Sequence, residues 1–184
     1  MHAKAGGGLP PKLTKPMPLR ASHILTGFDC GEAVLSLWLA KRALPAVAER
    51  TANSFVVCRG RQVVGYYSLA TTSIAHEHCT SSLWRNAPDP VPAILLARLA
   101  VDNSEKGKQI GRHLLQDAMK RTLMAARHVA ARTLLVHALT GEVAGYYRKL
   151  GFLDLPRSGE QVTLHLNLEK VVAALKMQGH ISGR

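Results

Sequence analysis

At 184 residues and 19.9 kDa the chain is long enough for one domain with a single buried core and too short for two of ordinary size. Hydrophobic residues make up 47% and charged residues 20%, and nothing is repeated, which excludes wholesale disorder, collagen-like and coiled-coil architectures. Lys and Arg outnumber Asp and Glu 24 to 12, and this formal charge of +12 favours a polyanionic partner: nucleic acid, a phosphate-rich cofactor or an acidic protein. A merely basic soluble protein has the same balance, so charge alone does not choose.

Residues 1–18 hold Lys4, Lys12 and Lys15, a run of glycines from Gly6 to Gly8, and Pro10, Pro11, Pro16 and Pro18, with no apolar core of a signal peptide. They read as a flexible basic arm ahead of one domain over 19–170, with 171–184 as a tail that frays from about Lys176. No apolar run approaches the ~20 residues of a membrane span. Cys30, Cys58 and Cys79 are odd in number and widely spaced, so reduced thiols and a cytoplasmic location are expected.

Arg20 to Leu25 is a weak candidate for an opening strand. Val34, Leu35, Trp38 and Leu39 form a helical stripe over Glu32 to Arg42, and Pro45 suits the first turn of a second short helix, Leu44 to Glu49. Ser54 to Cys58 and Gln62 to Ala75 flank Arg59-Gly60-Arg61 as an antiparallel hairpin. His76 to Pro92 is long for a bare loop, which predicts a short helix near Ser81 to Asn86. Ile94 to Val101 reads as a buried strand, Ile110 to about Val129 as the long central helix, and Thr133 to Ala138 as another strand. Glu142 to Leu150, ended by Gly151, reads as a helix, and Gln161 to Leu168 alternates as a strand. This order predicts a mixed α/β sheet with one central crossover helix.

The informative unit is the strand Ile94 to Val101 running through Asp102-Asn103-Ser104-Glu105 into Lys106-Gly107-Lys108-Gln109-Ile110-Gly111 and straight into the long helix. A glycine-containing loop at a helix N-terminus offers free backbone N–H groups and the positive end of the helix dipole, which suits a pyrophosphate. Lys106, Lys108 and Arg112 add charge. The same Gly-x-x-x-Gly spacing also serves as a plain connection, so spacing leaves both readings open.

Several motifs occur here in one order: Leu96-Ala97-Arg98-Leu99-Ala100-Val101-Asp102, the loop above, Gly111 to Ala118, Leu135-Val136-His137-Ala138 and Tyr146-Tyr147-Arg148-Lys149-Leu150-Gly151-Phe152. Together they resemble GNAT-type N-acetyltransferases. Phe28-Asp29-Cys30-Gly31 and Val64 to Ala70 narrow the resemblance to the GNAT toxins of bacterial toxin–antitoxin pairs, which acetylate aminoacyl-tRNA. It runs from about Leu19 to Leu168. It implies the GNAT acyltransferase fold, a mixed, mostly antiparallel central sheet flanked by helices, and acetyl-CoA as cofactor.

Carried onto this chain, the resemblance implies cofactor contacts at Leu99, Ala100, Val101, Lys106, Gly107, Lys108, Gln109, Ile110, Gly111 and Arg112. Tyr147 matches the family's general acid. The loop departs from the family pattern in having Lys106 first and Gln109 at a glycine position; its backbone donors still reach a pyrophosphate if Gln109 takes ordinary helical angles. The resemblance further implies a homodimer and a ribbon-helix-helix antitoxin, the complex binding operator DNA.

Acetyl transfer from a thioester to an amine needs a neutral amine, a bound carbonyl and a proton for the departing thiolate. A phenol held beside the sulfur can supply that proton, whereas a packed tyrosine at a helix end has no such role. An α-amino group titrates near 7.7 to 8.0 and lower when its carboxyl is esterified, so it needs a strong base less than lysine does. Only Asp102 and Glu105 lie close, which suits an aminoacyl ester. Residues 98–157 carry eleven basic against five acidic side chains. Arg98, Arg85, Lys41 and Arg42 are candidate tRNA contacts, each of which also reads as an ordinary surface charge. His76, His78 and Cys79 lack the second ligand pair of a structural zinc, so no metal is expected. Two other functions fit the chain: acetylation of protein N-termini or small amines, and non-catalytic nucleic-acid binding on a GNAT scaffold.

Overall fold

The computed structural model describes residues 11–157 and 159–171. One sheet contains β1 (Met17–Pro18), β2 (Asn53–Arg59), β3 (Gln62–Ile74), β4 (Val91–Val101), β5 (Thr133–Ala138), β6 (Leu153–Asp154) and β7 (Val162–Asn167), in the order β1-β2-β3-β4-β5-β7-β6. Every neighbouring pair is antiparallel except β4 and β5. The helices that accompany them include α1 (Ala33–Ala48), α2 (Ser81–Trp84), α3 (Ile110–Ala125) and α4 (Gly141–Lys149). The expected mixed, mostly antiparallel sheet flanked by helices is present, with α3 as the crossover between the parallel pair.

The two faces of the sheet separate by alternation along each strand, reset in β3 at Val64, where the register against β2 shifts between Val57 and Cys58. Val57, Val64, Tyr67, Leu96, Leu134 and Val136 pack under Leu114, Leu115, Ala118 and Met119 of α3. Val56, Tyr66 and Ala100 face the other way, onto Leu39 and Ala43 of α1. On that same side α2 covers β4 and β5 through Leu83, beside Cys79, Ala93 and Leu135. Gly65 lets α3 come close: a Cβ there would lie 3.0 Å from a Val57 methyl and 3.1 Å from methyls of Ile110 and Leu114.

Several expected boundaries shift. The two helices predicted over residues 32–49 are one, because Ala43 and Ala46 are buried on either side of Pro45 and packing outweighs the lost N–H. Its buried stripe is Leu39, Ala43 and Ala46, whereas Val34, expected on it, is 76% exposed. Arg20 to Leu25 is a turn with a single bridge from Ile24 to Gln62, and the first strand is Met17–Pro18. Residues 11–18, expected in a flexible arm, lie along β2: Thr14 N–H donates to the Cys58 carbonyl, and Leu13 bridges Arg59. Residues 1–10 and 172–184, including the tail expected to fray from Lys176, lie outside the described residues. The central helix stops at Ala125, leaving Val129 65% exposed, and the helix in the long loop is a single turn.

Candidate active site

The cleft forms where the parallel strands part. Pairing of β4 with β5 ends at Leu96 with Val136, although β4 continues to Val101 along β3. Register against β3 shifts between Ser68 and Leu69, which leaves Ala97 as an extra residue in β4. Such a bulge bends its strand and reverses which face later side chains take. Leu99 and Val101 therefore turn to the α3 side, Ala100 and Arg98 to the α1 side. From 97 to 101 the β4 edge facing β5 carries no strand among the described residues, which leaves its backbone groups available to a bound chain.

Beside this edge lies a pocket of about 400 Å³ lined by Leu99, Val101, Glu105, Lys106, Gly107, Gln109, Ile110, Gly111, Arg112 and Tyr146. Of the expected cofactor residues, Ala100 and Lys108 are not in its wall. The side chain of Ala100 is buried under α1, and Lys108 Nζ is drawn aside, 3.1 Å from the Glu105 carboxylate and 3.2 Å from the Ser104 carbonyl oxygen. Lys106 and Arg112 do line it.

Gln109 corrects the other expectation about the loop. It takes φ 59°, ψ 15°, the left-handed conformation, rather than helical angles, and its carbonyl accepts the His113 N–H to start α3. A side chain in this region costs about 1 kcal/mol relative to glycine. The chain thus keeps at 109 the backbone shape for which glycine is suited, and the first turn of the 16-residue α3, whose N–H groups have no intrahelical acceptor, lines the pocket. Gln109→Gly is expected to stabilise the protein by up to about 1 kcal/mol and to leave acetyl-CoA affinity unchanged or higher, whereas Gln109→Val destabilises. Urea unfolding and calorimetric titration with acetyl-CoA check both.

Both nearby carboxylates are committed to structure. Glu105 is buried, its oxygens taking Arg59 Nε at 2.6 Å and Nη2 at 3.0 Å, and hydrogen bonding from Arg59 holds its carboxyl below the usual carboxylate range. Asp102 accepts the Asp29 N–H at 2.8 Å on one oxygen, and the Ser104 N–H and hydroxyl at 2.9 and 2.7 Å on the other. Burial opposes its ionisation, but these donors prevail and lower its pKa. The Asp29 carbonyl in turn accepts the Asn103 N–H at 2.7 Å, so the Phe28 to Gly31 turn is tied to the cofactor loop.

Tyr147 sits in α4, whose N-terminus is capped by Thr140, its hydroxyl accepting the Val143 N–H. The helix closes at Leu150 and Gly151, where φ is 92°, and the Tyr147 carbonyl accepts the Phe152 N–H at 3.1 Å. The Tyr147 ring is buried, 5.2 Å from Phe152 and 5.6 Å from Tyr146. Burial pushes its phenol above the ordinary value of 10, with Tyr146 adding to the rise. Tyr146, which the sequence reading passed over, contributes to the pocket wall beside Leu99 and Arg112. Its place in the wall is set by tertiary packing of α4 beside Leu99 and Arg112, which no local pattern in the sequence marks.

The candidate RNA contacts divide. The Arg98 guanidinium lies 4.0 Å over the Trp38 ring, and Trp38 stacks on Tyr66. Lys41 and Arg42 are exposed one turn beyond Trp38 on α1. Arg85 is elsewhere, at the end of α2, where its carbonyl accepts Arg132 Nη2. Arg132 N–H also donates to Pro92, and six residues of strand separate Pro92 from Arg98, roughly 20 Å. His76 Nε2 lies 2.9 Å from the Pro88 carbonyl and Cys79 is buried; among the described residues no three metal-ligating side chains converge. No helix among them is long and apolar enough to cross a membrane.

A sheet splayed beside a bulge, with a helix N-terminus aimed into the gap and a tyrosine on the next helix, defines an acyl-CoA-dependent N-acyltransferase. The model of the acetyltransferase (GNAT) domain matches residues 50–153. A tRNA-acetylating toxin of Mycobacterium tuberculosis is 45% identical over 144 residues, covering 78% of this chain and 84% of the toxin. The structure of AtaT complexed with acetyl-methionyl-tRNAfMet superposes with a TM-score of 0.79 at 28% identity, over 88% of this chain and 98% of that one. AtaTR bound with AcCoA gives 0.75 at 30%, over 88% and 96%. The chain belongs to the GNAT acetyltransferase family.

Proposed function

We propose that the chain transfers the acetyl group of acetyl-CoA to the α-amino group of aminoacyl-tRNA, and that it is the toxin of a toxin–antitoxin pair that blocks translation by this means. The observation that carries this reading is the 45% identity to a tRNA-acetylating toxin across 84% of that protein's length. The site's chemistry supports it. With Asp102 and Glu105 held by other partners, neither is placed to deprotonate an ammonium, so the acceptor must supply its own neutral amine, as an aminoacyl ester does near pH 7.

In this mechanism acetyl-CoA supplies an activated thioester. The N–H groups at the start of α3, with Lys106 and Arg112, hold its phosphates, and the open edge of β4 at Leu99 to Val101 aligns the pantetheine arm. The Val101 N–H polarises the carbonyl oxygen. The amine nitrogen forms the new C–N bond as the C–S bond breaks. Tyr147 gives its proton to the departing sulfur, the nitrogen loses one to water, and water returns a proton to Tyr147. Arg98, Lys41 and Arg42, on the α1 side, contact the tRNA backbone, with Arg85 reaching a separate phosphate. A ribbon-helix-helix antitoxin, a homodimer and a cytoplasmic location belong to the same proposal.

Incubation of the protein with charged tRNA and labelled acetyl-CoA tests the reading. Label is expected in the aminoacyl-tRNA fraction and absent from peptide N-termini and small amines offered in parallel. No label with any amino acid on the tRNA would refute it.

A further inference from the structure

The sheet has a second open edge, which the acetyl-transfer site does not use. β2 begins at Asn53, paired with Leu69, yet β3 continues to Ile74 along β4, so among the described residues Ala70 to Ile74 have no strand on their other side. Among the described residues, none of the backbone groups of 70–73 bonds outside the β3–β4 ladder. Other edges of the sheet are blunted: β1 lies between Pro16 and Leu19 and contains Pro18, and β6 is two residues long with Pro156 close behind. Ala70-Thr71-Thr72-Ser73-Ile74 carries neither proline nor charge.

A groove of about 640 Å³ runs beside this edge, floored by Phe55, Leu69, Ile94 and the 62% exposed Met124, with Arg50 and Arg121 in its wall. The Arg121 guanidinium lies over the Phe55 ring at 4.1 Å and bonds Asp117. Arg50 has no carboxylate within salt-bridge distance among the described residues. An unpaired strand edge supplies main-chain affinity, and an adjoining apolar floor takes alternate side chains of an added strand. The arginines select carboxylates on that strand, and with a charge of +12 on each copy they disfavour a second copy of this chain.

We propose that Ala70 to Ile74 and this groove are the docking site for an extended, acidic segment of a partner protein, which adds a strand to β3. That the partner is an antitoxin rests on the functional reading above; the site itself does not. Thr71 pairs with Ile94 and Gly65 with Val101, which places the edge roughly 20 Å along β3 from the cofactor pocket, so occupancy and catalysis can be measured apart.

The test uses the full chain and an alternating glutamate–valine peptide as probe, with a lysine–valine peptide as control. Calorimetry should show binding of the first only, weakening with salt, and hydrogen exchange should show those amides of 70–74 that point away from β4 slowed by the peptide. Arg50→Glu and Thr71→Glu should each weaken binding by about tenfold or more while aminoacyl-tRNA acetylation is unchanged. Equal affinity for both peptides, protection elsewhere than 70–74, or binding unaffected by the two substitutions overturns the proposal. Protection, in the free protein, of those amides of 70–73 that point away from β4 also overturns it, because the edge is then covered by the chain's own ends or a second copy. Missing acetylation with peptide binding intact counts against the functional reading alone.

Discussion

Tyr147→Phe is expected to lower the rate of acetyl transfer by about 10² to 10³-fold while acetyl-CoA binding stays within about twofold. The substitution removes one oxygen from a ring otherwise held by Phe152 and Tyr146 and by the helix closure at Gly151, so the packing that places the ring survives. What disappears is the proton for the departing thiolate, whose conjugate acid lies near 8.5 if it resembles cysteine. The pH dependence separates this role from a merely structural one. Burial keeps the Tyr147 hydroxyl protonated to beyond its ordinary value of 10. The wild-type rate should therefore rise as the acceptor amine loses its proton, at or below pH 8, and show no falling limb before about pH 10. Tyr147→Phe should keep the rising limb at a uniformly lower rate. Single-turnover acetylation of charged tRNA between pH 6 and 9 gives both profiles; a variant with wild-type rates removes Tyr147 from the mechanism. Tyr146→Phe serves as the control, since it removes the neighbouring phenol, which lines the pocket, and leaves Tyr147 in place.

Why the fold was legible and parts of the site were not comes down to the range of the interactions involved. β2 and β3 are dense in β-branched and aromatic residues around a two-residue turn at Gly60-Arg61, and α3 repeats its apolar face over four turns, so local pattern located them. α1 reads as two helices because Pro45 is a local signal, whereas burial of Ala43 and Ala46 is a tertiary one. The same holds in the site. Gln109 carries no sequence mark of a positive φ; its angles are set by the need to turn from Glu105, pinned by Arg59 from 46 residues away, into α3, pinned by Gly65. Lys108 looked like a phosphate ligand by position, but the buried Glu105 beside it captures the ammonium. Local pattern located α4 and the loop ahead of α3, whose shapes depend on adjacent residues, and it missed the bulge at Ala97, which exists only in relation to β3.

That dependence makes Gly65→Val the substitution with the largest expected effect on stability. Gly65 lies on β3 opposite Val101, in ordinary extended backbone, so its requirement is for space and not for a special φ. Its Cβ alone would meet three methyl groups at 3.0 to 3.1 Å, from Val57 on the neighbouring strand and from Ile110 and Leu114 on α3. The Ile110 and Leu114 side chains are 2% and 0% exposed, so neither can swing into solvent, and α3 must lift. Overpacking of this kind costs about 1–3 kcal/mol or somewhat more, and valine adds two further methyls to the Cβ. In a chain of this size the expected loss corresponds to roughly 2–12 °C in Tm. Lifting the first turn of α3 also moves the N–H groups after Gln109 away from Leu99 and Val101, so acetyl-CoA affinity should fall in the variant even at temperatures where it is fully folded. Gly111→Ala offers the converse case: its Cβ would meet Val101 and Leu99 at 3.5 and 3.8 Å, ordinary contacts that the protein accepts, but within the pocket wall. That variant should retain wild-type Tm and still bind acetyl-CoA more weakly. Thermal unfolding combined with calorimetric titration of the two proteins distinguishes loss of affinity by displacement of the helix from loss by occlusion of the pocket; wild-type stability in Gly65→Val would mean that α3 is not held to β3 at this point.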